Sequence, residues 1–207
     1  MHERWVVRHH RRAGRGRQVH LDQRAGRPTR PPRRPGASHQ RTIPSPLGDL
    51  ARHAPEHYRG LTLACLVAAD RYWHLETGIH PHLAAGEVVV SDRYVPTSMV
   101  LQRIDGVDLD FLWQLNAYAP RPDLAVILRA DPAVLAARLA ARGPHTRFER
   151  APGASQVESR LYQQAAERLE AAGWSLLTVD STRVAPEEIA TTVLARILTL
   201  RETLQPR

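Results

Sequence analysis

Residues 86–94 have the sequence Gly86-Glu87-Val88-Val89-Val90-Ser91-Asp92-Arg93-Tyr94. The β-branched run after the glycine predicts a short strand that is buried on both faces, as in a parallel sheet. Asp92 and Arg93 follow where this strand ends. Because ligands of parallel α/β sheets bind at the carboxyl ends of the strands, both charged side chains are candidate functional residues.

Strands and helices alternate on both sides of this segment. Further buried strands are predicted at residues 124–128 and 174–179. Helices are predicted at residues 59–77, 97–103, 108–118, 132–142, 155–172 and 186–199. Strands separated by helices indicate an α/β fold, with a parallel sheet flanked by helices and joined by right-handed crossovers.

The Asp92-Arg93 pair suits phosphate chemistry. A carboxylate at a strand end can hold Mg²⁺ directly or through water. A guanidinium can bind a phosphoryl group through two parallel hydrogen bonds. The simpler alternative is an Asp–Arg surface pair at the start of a loop.

Arginines also follow the second predicted strand. Arg138 and Arg142 are four residues apart and share a helix face, and Arg147 lies in a polar stretch beyond Gly143-Pro144. Several arginines converging on one loop can neutralise the charge on the oxygens of a phosphoryl group in transfer. The alternative is a solvated helix face.

Charge is distributed unevenly along the chain. All 29 basic residues are arginines, and residues 1–43 hold 12 of them against two acids, a net charge of +10. Residues 44–207 have a net charge of −2. Residues 1–43 are rich in Arg, Pro, Gly and His, which predicts disorder, or a basic tail that contacts nucleic acid.

Cysteine and hydropathy patterns restrict the class of protein. The single cysteine, Cys65, cannot form an internal disulfide, so a reducing compartment is expected. No apolar run reaches the roughly 18 residues that indicate a transmembrane helix. The basic N-terminus lacks the apolar stretch of a secretory signal.

Five short motifs occur once each along the chain, and their order and spacing are informative. They are Ala68-Ala69-Asp70-Arg71…His74, Asp92-Arg93-Tyr94 after a Val-rich strand, Gln102, Arg121-Pro122-Asp123-Leu124, and Arg138…Arg142-Gly143…Arg147-Phe148-Glu149. Together they resemble the thymidylate kinase family of nucleoside monophosphate kinases, over roughly residues 46–200. The resemblance implies a P-loop kinase fold that transfers the γ-phosphoryl group of ATP to dTMP with Mg²⁺, and a cytoplasmic homodimer.

The resemblance also implies roles for individual residues. Asp92 would organise Mg²⁺ and the reacting phosphates, and Arg93 would contact the acceptor phosphate. Catalytic lid residues would be Arg142 and Arg147, in a lid at about residues 143–153. The acceptor nucleotide would be bound by Arg71, Val67, Ser98 and Gln102. ATP would be bound by Arg138, Arg183 and Val184.

The sequence departs from the family pattern in three places. Val67 stands where the family usually has a Phe that stacks on the base, which puts thymine specificity in doubt. Leu101 stands where a Tyr usually precedes the Gln. The chain contains no lysine and shows no strand–turn–helix pattern before residue 46, so we expect the first strand of the sheet, and the Gly-x4-Gly-Lys-Ser/Thr loop that cradles the phosphates of ATP, to be missing or disordered.

We hypothesise that a frameshift accounts for the missing loop. The codons of Gln18-Val19-His20-Leu21, read one base later, permit Lys-Ser-Thr, and the preceding arginine codons permit glycines. The codons of residues 39–43 permit Thr-Asn-Glu-Pro-Ser in the same frame. We therefore expect residues 5–43 to be an out-of-frame kinase N-terminus, and residues 44–207 to be the kinase domain. Two alternatives are an inactive kinase-like protein with a basic nucleic-acid-binding arm, and a kinase for another (deoxy)nucleotide.

Overall fold

The computed structural model describes residues 4–9, 38–39, 50, 56–144 and 146–204. Within them the strands are β1 (Arg4–His9), β2 (Ser38–His39), β3 (Val88–Asp92), β4 (Leu124–Arg129) and β5 (Leu176–Asp180). They form a five-stranded sheet in the order β2-β3-β1-β4-β5. β2 pairs in parallel with β3, and β4 in parallel with β5, which confirms the α/β class with a parallel sheet.

The position of β1 differs from the expectation that the first strand of the sheet is missing. Arg4–His9 lies between β3 and β4 and is antiparallel to both. Trp5 pairs with Asp92, and His9 pairs with Val88. The run Trp5-Val6-Val7 has the strand propensity to fill this place, where the edges of β3 and β4 would otherwise have unpaired backbone groups. Gln18-Val19-His20-Leu21 and the predicted boundary after residue 43 lie outside the described residues.

Helices connect the strands. They are α1 (Gly60–His74), a π-helical turn (Leu75–Ile79), α2 (His80–Ala84), α3 (Val95–Ile104), α4 (Leu109–Leu115), α5 (Pro132–Arg142), α6 (Arg147–Arg150), α7 (Ala154–Ala171) and α8 (Pro186–Leu204). The six helices predicted from the sequence are all present. The short α2 and α6 were not predicted, because four or five residues are too few to show a helical period.

Apolar side chains alternate between the two faces of β3 and β4, as the two-residue period of a strand requires. Val88 and Val90 pack in one buried cluster with Ile189, Val193 and Ile197 of α8. Val89 packs in a second cluster on the opposite face. Residues of this second cluster come mainly from the π-helical turn, α3 and α7, including Leu75, Ile79, Val95, Met99, Val100, Leu161, Tyr162, Ala165 and Leu169. The sheet is therefore the middle layer of three.

Local capping sets where the helices near the sheet edge begin and end. Asp131 accepts a hydrogen bond from the Ala133 amide at 2.7 Å, which confirms it as the predicted N-cap of α5. Gly173, at φ 77°, ends α7 as predicted.

Since β1 is antiparallel to both β3 and β4, those two strands run in the same direction, and β5 is parallel to β4. β3, β4 and β5 therefore all end at one edge of the sheet.

None of the helices in the described ranges combines the length and the apolar character that a membrane span needs.

Candidate functional site

Asp92 and Arg93 lie at the edge where β3, β4 and β5 end. Both residues are exposed. Arg93 has a φ of 66°, and it is the one non-glycine residue with a positive φ in the described part of the chain. The left-handed conformation costs about 1–2 kcal/mol for a residue with a Cβ atom. Such strain clusters at functional sites, so the backbone supports the interpretation of Arg93 as a functional residue.

Arg71, in the last turn of α1, is the centre of a hydrogen-bonded network. Its Nη1 donates to Oδ1 of Asn116. Its Nη2 donates to Oγ of Ser98 at 2.6 Å and, more weakly, to the carbonyl of Tyr94 at 3.4 Å. The structure thus joins Arg71 and Ser98, which the sequence had placed at the same site, and adds Asn116 and Tyr94 to them.

The electrostatic environment of Arg71 is unusual for a cation. Burial lowers the pKa of Arg71 to about 10, with Tyr94, Tyr72 and Asp70 acting in the opposite direction. Arg71 is therefore still charged at neutral pH. Its hydrogen-bond partners among the described residues are an amide, a hydroxyl and a carbonyl, all of them neutral. No carboxylate in that set cancels the charge, so it remains available to an electronegative ligand atom.

Two buried polar atoms near Arg71 lack a hydrogen-bond partner within the described residues. They are Oε1 of Gln102, one turn after Ser98 on α3, and Nε2 of His74, three residues after Arg71 on α1. Gln102 is 3% exposed. Burial also lowers the pKa of His74, against the opposing charge of Asp70, so the neutral imidazole is favoured. Unsatisfied buried atoms are rare, and here they mark places where a ligand can bond.

The two aliphatic departures from the family pattern lie in one cluster. Val67 and Leu101 are both partly buried against Leu63 and Phe148. Val67 is therefore part of an apolar wall that also includes Phe148, a residue of the predicted lid. The aromatic member of this wall is Phe148, which is 6% exposed.

The arginines of the predicted lid are bound to carboxylates. Arg142 donates to Glu149 at 2.6 Å. Arg147 donates with both terminal nitrogens to the carboxylate of Asp105, and its guanidinium lies 4.2 Å from the Phe148 ring centre. The structure therefore pairs Arg142 with a carboxylate of the predicted lid and Arg147 with a carboxylate that follows α3. It fastens residues 142–149 to the end of α3.

Arg138 lies on α5, the helix after β4, and Arg183 and Val184 lie in the loop after β5. The guanidinium of Arg138 donates to the carbonyls of Ser181, at 2.8 Å, and Thr182, at 3.3 Å. Arg183 is exposed, and Val184 packs against the α8 side of the sheet. Arg138 thus stabilises the loop that contains Arg183 and Val184, by donating to backbone carbonyls of that loop. In this way the structure brings together the three residues predicted to bind ATP.

The described residues contain no group of three or more His, Cys, Asp or Glu side chains that could hold a metal ion. Asp92 is a single exposed carboxylate at a strand end. Mg²⁺ commonly binds through one or two carboxylates together with water and substrate phosphates. Asp92 therefore fits a magnesium ion shared with phosphates, and does not fit an all-protein metal centre.

Two residues of this site were not found from the sequence. Asn116 is 45 positions from Arg71, and Asp105 is 42 positions from Arg147. Neither belongs to a motif, and no local signal identifies a contact made across that distance. The positions of Asn116 after α4 and Asp105 after α3, where side chains can turn toward a neighbouring helix, are the weak signal that was present.

Most of the chain matches a known protein family. The family model described as thymidylate kinase matches residues 43–189. The chain belongs to the thymidylate kinase family. The matched range covers most of residues 46–200, over which the sequence resembles this family.

Individual thymidylate kinases align with parts of the chain. It is 35% identical over 130 residues to a probable thymidylate kinase of Pyrobaculum aerophilum, covering 63% of this chain and 64% of that protein. It is 45% identical over 78 residues to a thymidylate kinase of Xanthomonas oryzae pv. oryzae, covering 38% of this chain and 34% of that protein. It is 42% identical over 87 residues to a probable thymidylate kinase of Pyrococcus horikoshii, covering 42% of each. The aligned part is less than two thirds of each relative.

Proposed function

We propose that the protein binds dTMP as a phosphoryl acceptor, and that the transfer of the γ-phosphoryl group from ATP to dTMP is impaired in the chain as written. The observation that carries the proposal is the Arg71 network, in which a partly buried cation is held by Ser98 and Asn116, with no carboxylate among its hydrogen-bond partners in the described part of the chain. Membership of the thymidylate kinase family supports the choice of dTMP.

The acceptor would lie between α1, α3 and the end of β3. Arg71 would donate to the base, and Gln102 has an unsatisfied oxygen on the same helix as Ser98. The Arg93 guanidinium would bind the acceptor phosphate through two hydrogen bonds. Asp92 would hold Mg²⁺ together with the phosphates, where the ion neutralises their charge.

The lid arginines would need to exchange partners. Arg142 and Arg147 are bound to Glu149 and Asp105. In a closed state their guanidiniums would stabilise the phosphoryl group in transfer, as such arginines do in other phosphotransferases. Arg138, Arg183 and Val184 would border ATP on the far side of the sheet edge.

The donor side of the reaction is incomplete. The chain has no lysine to reach the β- and γ-phosphates of ATP. A phosphate loop follows the carboxyl end of its strand, but β1 ends with His9 beside Val88, at the opposite end of β3 from Asp92. The described residues therefore supply no phosphate loop at the edge where Asp92 lies. This supports the frameshift hypothesis for residues 5–43.

Titration calorimetry and a coupled kinase assay on the full chain test the proposal. We expect dTMP to bind, and phosphoryl transfer to fall by several orders of magnitude, because each lost electrostatic contact is worth about 10²–10³ in rate. Arg71→Ala should abolish dTMP binding. A chain that folds but binds no dTMP would refute the acceptor site, and easily measured turnover would refute the impairment.

A basic nucleic-acid-binding arm is the second candidate, because residues 1–43 have a net charge of +10. It predicts binding to DNA or RNA that weakens steeply as salt rises, with a log–log slope of about −0.9 per phosphate contact on duplex DNA. A homodimer and a cytoplasmic location are further proposals that rest on the family. Light scattering and cell fractionation test them.

A further inference from the structure

Asn116 connects α4 to the guanidinium of Arg71. It is the only asparagine of the chain, it lies immediately after α4, and it is 4% exposed. We infer that Asn116 is a positioning residue that fixes the Arg71 guanidinium. The fixed guanidinium thereby selects an acceptor base that presents a carbonyl oxygen to it over a base that presents an amino group at the same place. The inference rests on the proposed dTMP site.

The orientation of the Asn116 amide is determined from both ends. Its Oδ1 accepts a hydrogen bond from Arg71, while its Nδ2 donates to the carbonyl of Leu112 at 2.7 Å. A reversed amide would place its NH2 group against the guanidinium and its oxygen against the Leu112 carbonyl. Both contacts would then be repulsive, so one orientation is stable.

A neutral acceptor at this position keeps the charge of Arg71 available. An aspartate would form an ion pair with Arg71 and would also place a carboxylate oxygen against the Leu112 carbonyl. The ion pair would direct the cation toward the protein instead of toward a ligand. The amide therefore holds the guanidinium in place without neutralising it, and Ser98 holds its other terminal nitrogen at 2.6 Å.

A guanidinium fixed in this way is a rigid donor. Arginine has no acceptor atom, so it can bond to the carbonyl oxygen of a thymine or uracil base but not to the amino group of cytosine. Sites built to hydrogen-bond one group discriminate strongly against an analogue that cannot make the bond, because the buried protein group is then left unpaired. An arginine that moves between rotamers would lose much of this discrimination.

Calorimetric titration of the full chain with dTMP and with dCMP tests this role. The variants are Asn116→Ala, Asn116→Asp and, as a matched control, Gln114→Ala, which removes an exposed amide from the same helix. We expect Asn116→Ala to weaken dTMP binding about tenfold and to weaken dCMP binding much less, because a hydrogen bond to a charged group is lost. Asn116→Asp should weaken both, and the control should change neither.

The preference for dTMP over dCMP distinguishes positioning from a structural role. In Asn116→Ala, a general loss of stability would lower both affinities alike and leave their ratio unchanged, which would overturn the inference. Unchanged dTMP binding in Asn116→Ala would overturn it as well, with the acceptor site intact. A wild-type chain that binds no dTMP would instead refute the proposed function, and the inference with it.

A measurement on the unmodified protein avoids variants that fail to fold. Since Asn116 is the only asparagine, side-chain 15N-asparagine labelling gives one pair of NH2 signals in an NMR spectrum. We expect one of these protons to exchange slowly with solvent, because Nδ2 donates to Leu112, and the pair to shift when dTMP is added. Rapid exchange of both protons, or signals that do not move at saturating dTMP, would contradict the inference.

Discussion

At the scale of single residues, Arg93 has two properties that substitutions can separate. It carries a charge at the end of β3, and its backbone has a φ of 66°. Arg93→Ala removes the guanidinium but keeps the Cβ atom, while Arg93→Gly removes both. We expect both variants to bind dTMP at least about tenfold more weakly, because a charged hydrogen bond to the phosphate is lost.

The two Arg93 variants should differ in stability. The glycine variant relieves a left-handed strain of about 1–2 kcal/mol, less some entropy that glycine loses on folding. We therefore expect its free energy of unfolding, measured by urea titration, to exceed that of the alanine variant by about 1 kcal/mol. Equal stabilities would show that the conformation at Arg93 carries no strain. Retained dTMP affinity would remove Arg93 from the site.

Residues that carry a motif could be predicted, and residues defined only by a contact could not. The sequence placed Arg71 and Ser98 at one site, and the structure joins them with a hydrogen bond. Asn116 completes the same network, but only folding brings α4 to α1. For Arg147 the sequence indicated a charge near phosphates, whereas the observed partner is the buried carboxylate of Asp105. The motif gives the residue type and not the conformational state.

At the scale of elements, ion pairs of unequal burial involve the arginines in and beside the predicted lid, residues 143–153. Arg147–Asp105 has side chains that are 17% and 4% exposed, whereas Arg150–Glu56 is about half exposed at 49% and 48%. The third pair, Arg142–Glu149, lies between them in burial. Gly143 and Gly153, both at positive φ, bracket the segment. The lid is thus fastened mainly at Arg147, between two glycines that can act as hinges.

The unequal burial predicts unequal effects of matched substitutions. Asp105→Asn removes the carboxylate that accepts from both terminal nitrogens of Arg147 in a largely buried pair, which should lower the free energy of unfolding by about 3 kcal/mol. Glu56→Gln removes the exposed pair with Arg150 and should cost about 0–1 kcal/mol. Urea unfolding of both variants measures the difference. Two similar small values would mean that the Asp105 pair does not fasten the lid.

Local signals decide which elements the sequence can predict. Helix α5 was predicted to the residue, because Asp131-Pro132 begins it and Gly143 ends it. The π-helical turn at Leu75–Ile79 was not, since its apolar residues continue the period of α1. The direction of β1 could not be predicted either. It depends on pairing with β3 and β4, which come much later in the chain.

At the scale of the whole molecule, the direction of β1 decides whether the chain can be a complete kinase. The antiparallel pairing sets Trp5 beside Asp92, so the start of β1 lies at the edge where Asp92 and Arg93 lie. A phosphate loop follows the carboxyl end of its strand. For the loop to lie beside Asp92, that carboxyl end would have to be at this edge of the sheet. With β1 reversed in the same place, the loop would lie next to Asp92, and the strand order β2-β3-β1-β4-β5 would be unchanged.

Restoring the reading frame over residues 5–43 is therefore the decisive test of the whole molecule. The corrected chain gains the glycine loop and the lysine encoded across Gln18 and Val19. We expect its dTMP kinase rate to exceed that of the chain as written by at least about 10³-fold, while its dTMP affinity, which depends on Arg71 and Asn116, changes little. Replacing the regained lysine with alanine should cancel most of the gain and serves as the matched control. If the corrected chain is no faster, the missing donor site is not what limits the protein. If the control is as fast as the corrected chain, the gain comes from folding of the central strand and not from the phosphate loop.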